Sequence, residues 1–328
     1  MRRKKDPKKK EDEDEGKVVL TKEMLVKGLR DFGLQDSLKT VGYRKLTLAH
    51  LEIEFLKNVI QDYRSVQHLD LSFNQIADLQ QVLNFDHVVY LNISNNKVKH
   101  INYLAEEDKL PCLQRLEAQN NKITELPLIK APKLQYLDVS GNAIGKYERI
   151  EGGHASLMVF KANQNKFKSL YFFKDMPKLR EIHLEDNIVG AMNDYENIPE
   201  LRVLNLKRNK IEKLEEDLPE LANLTRLNVR GNRIANKDYL KKLVAYPALK
   251  QFNILENPVF DPGNEYAVHE IVMLNTKLKK VNTVEITPTI LQETIFLGEL
   301  LWRKQEDERI AKEKEAQEKA EKEAQANS

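Results

Sequence analysis

Metal ligation or proton transfer requires histidines, cysteines or carboxylates gathered at short, regular spacing. The chain has seven histidines, at positions 50, 68, 87, 100, 154, 183 and 269, and one cysteine, Cys112. The histidines lie far apart, and no H-x-x-x-H pair occurs. No zinc site, no nucleophile with its base and no cofactor is therefore expected, and the chain reads as a non-enzyme. GNAIGK (141–146) approaches a phosphate loop but has one residue too few between its glycines and no final Ser or Thr. Residues suited to protein binding say more, because aromatic and Arg side chains anchor interfaces. Phe73, Tyr90, Arg115 and Tyr136 come first. An acidic group with Glu181, His183, Glu185 and Asp186 follows, then a basic one with Lys207, Arg208, Arg226 and Arg230.

Those residues recur at one phase of a repeat. The pattern L-x-x-L-x-L-x-x-N-x-L, with other apolar residues allowed at the Leu positions, fits nine segments from VQHLDLSFNQI (66–76) to LKQFNILENPV (249–259). Its asparagines are Asn74, Asn96, Asn121, Asn142, Asn165, Asn187, Asn209, Asn232 and Asn257, spaced by 22, 25, 21, 23, 22, 22, 23 and 25 residues. That is the period of leucine-rich repeats. The x-L-x-L run alternates with period two, so each unit gives a short strand with one inward face. Each Asn amide can satisfy backbone groups where the chain leaves the strand. The spacing predicts an α/β solenoid, a leucine-rich-repeat horseshoe with a curved parallel sheet on its concave face. The binding residues above are predicted to line that face at strand positions flanking the apolar pair. Pro111, Pro132, Pro177, Pro199, Pro219 and Pro247 precede strands, and predict convex segments of extended chain, 3-10 turn or short helix.

A solenoid needs covers at both open ends. LTKEMLVKGLRDFG (20–33), with Leu25, Leu29, Phe32 and a Thr21 cap, predicts an amphipathic helix. YRKLTLAHLEI (43–53) reads as a degenerate first repeat with Leu51 in the Asn slot. A C-terminal cap is predicted around an apolar helix ending near Leu274. Thr287-Pro288 then opens a further helix whose apolar part, with Ile295, Leu301 and Trp302, is expected to dock, and whose charged remainder is expected to be solvated. The predicted organisation is a disordered charged tail (1–19), helical N-terminal cap and degenerate repeat (20–62), nine repeats (63–260), C-terminal cap (261–286) and charged C-terminal helix (287–328).

Composition narrows the partners. Fifty-three basic against 51 acidic residues give a net charge of +2, so no global field favours nucleic acid or an anionic membrane. No run approaches the roughly 18 apolar residues of a membrane span. MRRKKDPKKKEDEDEGK lacks the apolar core of a secretory signal, so an intracellular chain is expected. Extended concave surfaces bind proteins far more often than they catalyse, so protein partners are expected, with no membrane, nucleic acid or small-molecule substrate.

LTKEMLVKGL (20–29), the YRKLTL strand leading through IQDYRSVQHLDLSFNQIADL, and a cap followed by a charged C-terminal helix together resemble the leucine-rich repeat-containing protein 23 family of axonemal radial-spoke proteins. The resemblance covers roughly residues 20 to 315. It implies a structural subunit of the radial spoke, in the head or neck region of cilia and flagella, that helps regulate dynein-driven beating. It also implies other spoke subunits as partners, on the concave face and along the C-terminal helix, and a place in the cytoplasm, cytoskeleton and axoneme. That family offers no catalytic residues. The repeat class equally suits a soluble regulatory adaptor, either a phosphatase regulator or a dynein-arm assembly factor.

Overall fold

The computed structural model describes residues 17–35, 40–56, 58–106, 109–128, 130–148, 153–212, 221–261 and 263–326. Helix α1 (Lys22–Gly28) starts at Thr21, whose Oγ1 accepts the Met24 N–H at 3.2 Å. An antiparallel hairpin of β1 (Leu29–Gln35) and β2 (Thr40–Thr47) follows. The repeats supply β3 (His68–Asp70), β4 (Tyr90–Asn92), β5 (Arg115–Glu117), β6 (Glu125–Leu126), β7 (Tyr136–Asp138), β8 (Lys146–Tyr147) and β9 (Val159–Lys161). They continue with β10 (Glu181–His183), β11 (Val203–Asn205), β12 (Arg226–Asn228) and β13 (Gln251–Asn253). Helix α2 (Ala267–Leu274), the hairpin of β14 (Lys280–Val281) and β15 (Val284–Glu285), and α3 (Pro288–Ala326) complete the order.

Among the described residues the main sheet has thirteen strands, parallel from β2 to β14 with an antiparallel strand at each end. Those end hairpins cover edges that would otherwise present unpaired backbone groups. Strand centres stay in register: Leu69, Leu91, Leu116, Leu137, Phe160, Ile182, Leu204, Leu227 and Phe252 stack, all essentially inaccessible. Burying each such side chain is worth about 1.5–3 kcal/mol. On the convex side the chain runs through 3-10 turns at Asn58–Tyr63, Gln80–Asn84, Asn102–Ala105 and Lys237–Ala245, and through the small β6–β8 sheet.

Beneath the strands runs the asparagine row. Asn209 Nδ2 donates to the carbonyls of Leu206 (3.0 Å) and Leu184 (2.8 Å), while its Oδ1 accepts the Val189 N–H at 2.9 Å. Asn96 repeats this with Ile93 and Leu71 carbonyls and the Ile76 N–H. Each amide therefore ties its own turn to the preceding repeat. In all nine repeats the residue before this Asn has a positive φ, between 52° and 67°: Phe73, Asn95, Asn120, Gly141, Gln164, Asp186, Arg208, Gly231 and Glu256. Its N–H then reaches the next repeat, as Phe73 N does to the Ser94 carbonyl at 3.0 Å.

Several expectations are corrected here. The N-terminal helix stops at Gly28 instead of reaching residue 33, and Phe32 sits on β1, 64% exposed. At Gly28 a Cβ would lie 2.4 Å from the Thr47 carbonyl oxygen, so the chain can fold against β2 only because that residue is glycine. The 1–19 tail is too long at its inner end. Val19 bridges Phe55 in parallel and the Leu20 N–H reaches the Phe55 carbonyl at 3.0 Å, while residues 1–16 lie outside the described residues. At the other end, Asn282 extends the row: its Oδ1 accepts the Ile254 N–H at 2.8 Å.

Ile295, Leu301 and Trp302 do not dock on the body; they are 55%, 42% and 65% exposed. The docked face of α3 consists instead of Leu291, Thr294 and Gly298, and Thr294 Oγ1 lies 2.8 Å from His269 Nδ1 on α2. Helix α2 spans only eight residues, so the 39-residue α3 outruns its support. Its length at 1.5 Å per residue is about 60 Å.

Candidate interaction surface

In every repeat strand the central residue points into the core, so the first and third residues point to the concave side. Strand pairing aligns them into two rows. The first runs Lys45, His68, Tyr90, Arg115, Tyr136, Val159, Glu181, Val203, Arg226, Gln251 and Lys280. The third-position row runs Thr47, Asp70, Asn92, Glu117, Asp138, Lys161, His183, Asn205, Asn228 and Asn253.

Tyr90, Arg115, Tyr136, Glu181, His183 and Arg226 thus occupy the strand positions predicted for them. Phe73, Glu185, Lys207, Arg208 and Arg230 do not. They lie in the turns after the strands, in positions set by the left-handed residue that precedes each buried Asn. Phe73 stacks on His50 with centroids 4.3 Å apart. A repeat alignment alone does not separate strand from turn here, since both flank the same apolar pair.

The N-terminal half of the face is an aromatic and ionic cluster. The Arg115 guanidinium lies 3.7 Å from the Tyr136 ring centroid and pairs with Glu117 at 2.6 Å. Lys161 Nζ sits 5.3 Å from the same ring, and the Tyr136 hydroxyl donates to Asp138 at 3.4 Å. Burial, and then the nearby Glu117 and Asp70 carboxylates, push the Tyr90 hydroxyl up to about 12.

Further along, the acidic and basic groups are not separate zones; they neutralise each other across neighbouring repeats. Glu185 meets Lys207 at 2.8 Å and Arg208 at 2.7 Å, and Arg208 also pairs with Asp186. Arg230 pairs with Glu256, and His183 with Glu181 at 3.0 Å. The Arg208 hydrogen bond holds the Asp186 carboxyl below its usual range. Arg226 makes no ion pair among the described residues.

Sequence reasoning missed the third-position amides and the concavity beside them. Asn205, Asn228 and Asn253 accept the N–H of the residue two positions on, at 3.2, 3.1 and 3.2 Å, through Oδ1. Around them, Arg226, Gln251, Lys280, His183 and Asn282 line a concavity of about 290 Å³. The Asn at strand position three was visible in LNL, LNV and FNI, but its hydrogen-bonding direction was not.

His154, on the loop before β9, is structural. Its Nε2 lies 3.1 Å from the Ala131 carbonyl and its Nδ1 accepts the Leu157 N–H at 3.1 Å, which fixes a neutral ring. Burial lowers its pKa.

The Leucine Rich repeat family model matches residues 64–79 and 130–146. Leucine-rich repeat-containing protein 23 of Bos taurus is 26% identical over 255 residues, 78% of this chain and 73% of the relative. The Homo sapiens protein of that name is 27% identical over 242 residues, 74% and 69% of the respective chains. Among solved structures, a leucine-rich-repeat protein of Leptospira interrogans superposes with a TM-score of 0.56 at 18% identity, covering 74% of this chain and 72% of that one.

Proposed function

We propose that this leucine-rich-repeat protein, a relative of leucine-rich repeat-containing protein 23, is a structural subunit of the radial spoke of cilia and flagella. In this reading it is a non-catalytic protein-interaction scaffold. Its work is to hold other spoke subunits in fixed relation while the spoke regulates dynein-driven motility.

The observation that carries the proposal is the similarity to the bovine and human relatives across more than two thirds of both chains. The fold supports it physically. Every rung is tied to the next by backbone pairing and an Asn amide, which gives one continuous body whose concave side carries two aligned rows of side chains. Beyond its docked face at Leu291, Thr294 and Gly298, helix α3 continues for about 40 Å, long enough to reach a second subunit. No helix among the described residues is long and apolar enough to cross a membrane. The proposed location is the cytoplasm and cytoskeleton, at the axoneme.

Detergent-stripped cilia washed with moderate salt provide the test. The chain is expected to stay with the washed axoneme, and to be missing from axonemes of a strain that lacks radial spokes. Recovery in the cell-body cytosol would overturn the spoke reading and point to a soluble adaptor.

A further inference from the structure

The amides of Asn228 and Asn253 have a fixed polarity. A backbone N–H can be met only by the side-chain oxygen, so Oδ1 must face the Arg230 and Leu255 amides. The Nδ2 donor of each is then turned the other way. Neither Nδ2 has a hydrogen-bond partner among the described residues, and both residues are half-buried beside the concavity. Asn205 has the same arrangement, its Nδ2 lying 3.4 Å from Glu185 Oε2.

The charges nearby reinforce this polarity. The carboxylates around the concavity are already held: Glu181 by His183, Glu185 by Lys207 and Arg208, Glu256 by Arg230, and Glu285 by Lys280 at 2.6 Å. Arg226 is the lining cation that makes no ion pair among the described residues. The concavity therefore offers N–H donors and one cation without an answering acceptor. Donors that remain unmet when a partner covers them cost free energy, so the matching occupant supplies anionic oxygen.

We propose that this concavity receives the carboxylate side chains of an acidic, extended peptide segment of a partner protein, with Arg226 as the ionic anchor and the Asn228 and Asn253 amides as paired donors. The proposal rests on the scaffold reading and names the chemistry of one partner. At about 290 Å³ the space suits one or two side chains. A peptide carboxylate fits better than a nucleic-acid backbone, because phosphate binding draws on several unpaired cations along a groove and this lining offers one, Arg226.

Fluorescence anisotropy with labelled octaglutamate, titrated with the full chain, tests this. Octaglutamate is expected to bind, and octaglutamine to bind about tenfold more weakly or not at all. Asn228→Asp with Asn253→Asp keeps the oxygen that caps the backbone but replaces each donor with an anionic acceptor. Thermal melting should stay unchanged while octaglutamate affinity falls by about tenfold or more. Arg226→Ala, at an exposed side chain, should weaken binding by about fivefold or more without any folding cost. Asn92→Asp places a new charge at the same strand position in the other half of the sheet, and should leave the affinity within about twofold. Equal weakening by Asn92→Asp and by the double variant would reduce the effect to overall charge and overturn the proposal. So would equal binding of octaglutamine, tighter binding of an oligothymidylate of the same length, or no octaglutamate binding at all. None of these results touches the spoke assignment, which stands or falls on axonemal retention.

Discussion

The two halves of the concave face share one backbone and differ in what they show to a partner. At strand position three the N-terminal half carries Asp70 and Asp138, and the C-terminal half Asn205, Asn228 and Asn253. All five side chains do the same structural work. Asp70 accepts the Ser72 N–H at 3.0 Å and Asp138 the Ser140 N–H at 3.0 Å, as the asparagines accept the N–H two residues on. One oxygen closes the turn in each case. The second atom is an anionic oxygen at Asp70 and Asp138, and an N–H donor at the three C-terminal asparagines and at Asn92, whose Oδ1 likewise accepts the Ser94 N–H at 3.0 Å. Because Asp and Asn are nearly isosteric, surface polarity can be reversed without disturbing the fold that displays it.

The comparison breaks most easily at the buried row, which should be equally important beneath both halves. Asn96→Ala and Asn209→Ala should each lower unfolding free energy by about 1–3 kcal/mol, through carbonyls and an N–H left without partners. Urea denaturation reads this directly. A cost confined to one half would mean that the rungs are not equivalent.

A smaller effect is expected at His154, on the loop before β9. Burial holds the folded-state pKa of His154 below its ordinary 6.5, so the unfolded chain binds the proton more readily. The stability tied to the neutral ring is present above 6.5 and lost as pH falls through the lowered folded-state value. Melting temperature should drop along that path, and the drop should be smaller in His154→Gln. An unchanged pH profile in that variant would remove His154 as the cause.

Tyr90 reports the charge of the N-terminal half alone. Its hydroxyl should ionise near pH 12 in an ultraviolet titration, and Glu117→Gln should move that midpoint down, since the carboxylate opposes the phenolate. No movement would mean that burial alone sets the value. The smallest change expected is at Gln164, where φ is 53°. Gln164→Gly relieves a left-handed strain but loosens the unfolded chain, for a net gain of about 0.5 kcal/mol. A loss of similar size would show that the side chain, and not the backbone, governs that turn.

Much of the solenoid was legible because its information is local. Alternating Leu positions fix which face of each strand is buried, and the Asn that follows fixes the turn, so the sequence carries the parallel register of β3 to β13 without long-range knowledge. The ends were less legible. Leu25, Leu29 and Phe32 obey a helical spacing, yet Gly28 lets the chain turn into β1, and that preference is realised only because β2 is there to pair with. Similarly, Asn282 falls in a segment that lacks the full repeat pattern, and its role depends on Ile254 being its neighbour.

What the amino-acid order determined by itself is therefore the rung: a short strand, a left-handed turn and a buried amide, each specified within about a dozen residues. Tertiary structure decided everything that depends on adjacent rungs. Lys207 and Arg208 meet Glu185 across 22 and 23 residues of chain, which turns two charged zones into one neutral network and leaves Arg226 apart from it. It also left Trp302 in solvent, because the short α2 ends before α3 does. The reason is common to both: neighbours on a solenoid surface are a full repeat apart in sequence, so the identity of a side chain is written locally while its partner is chosen by stacking.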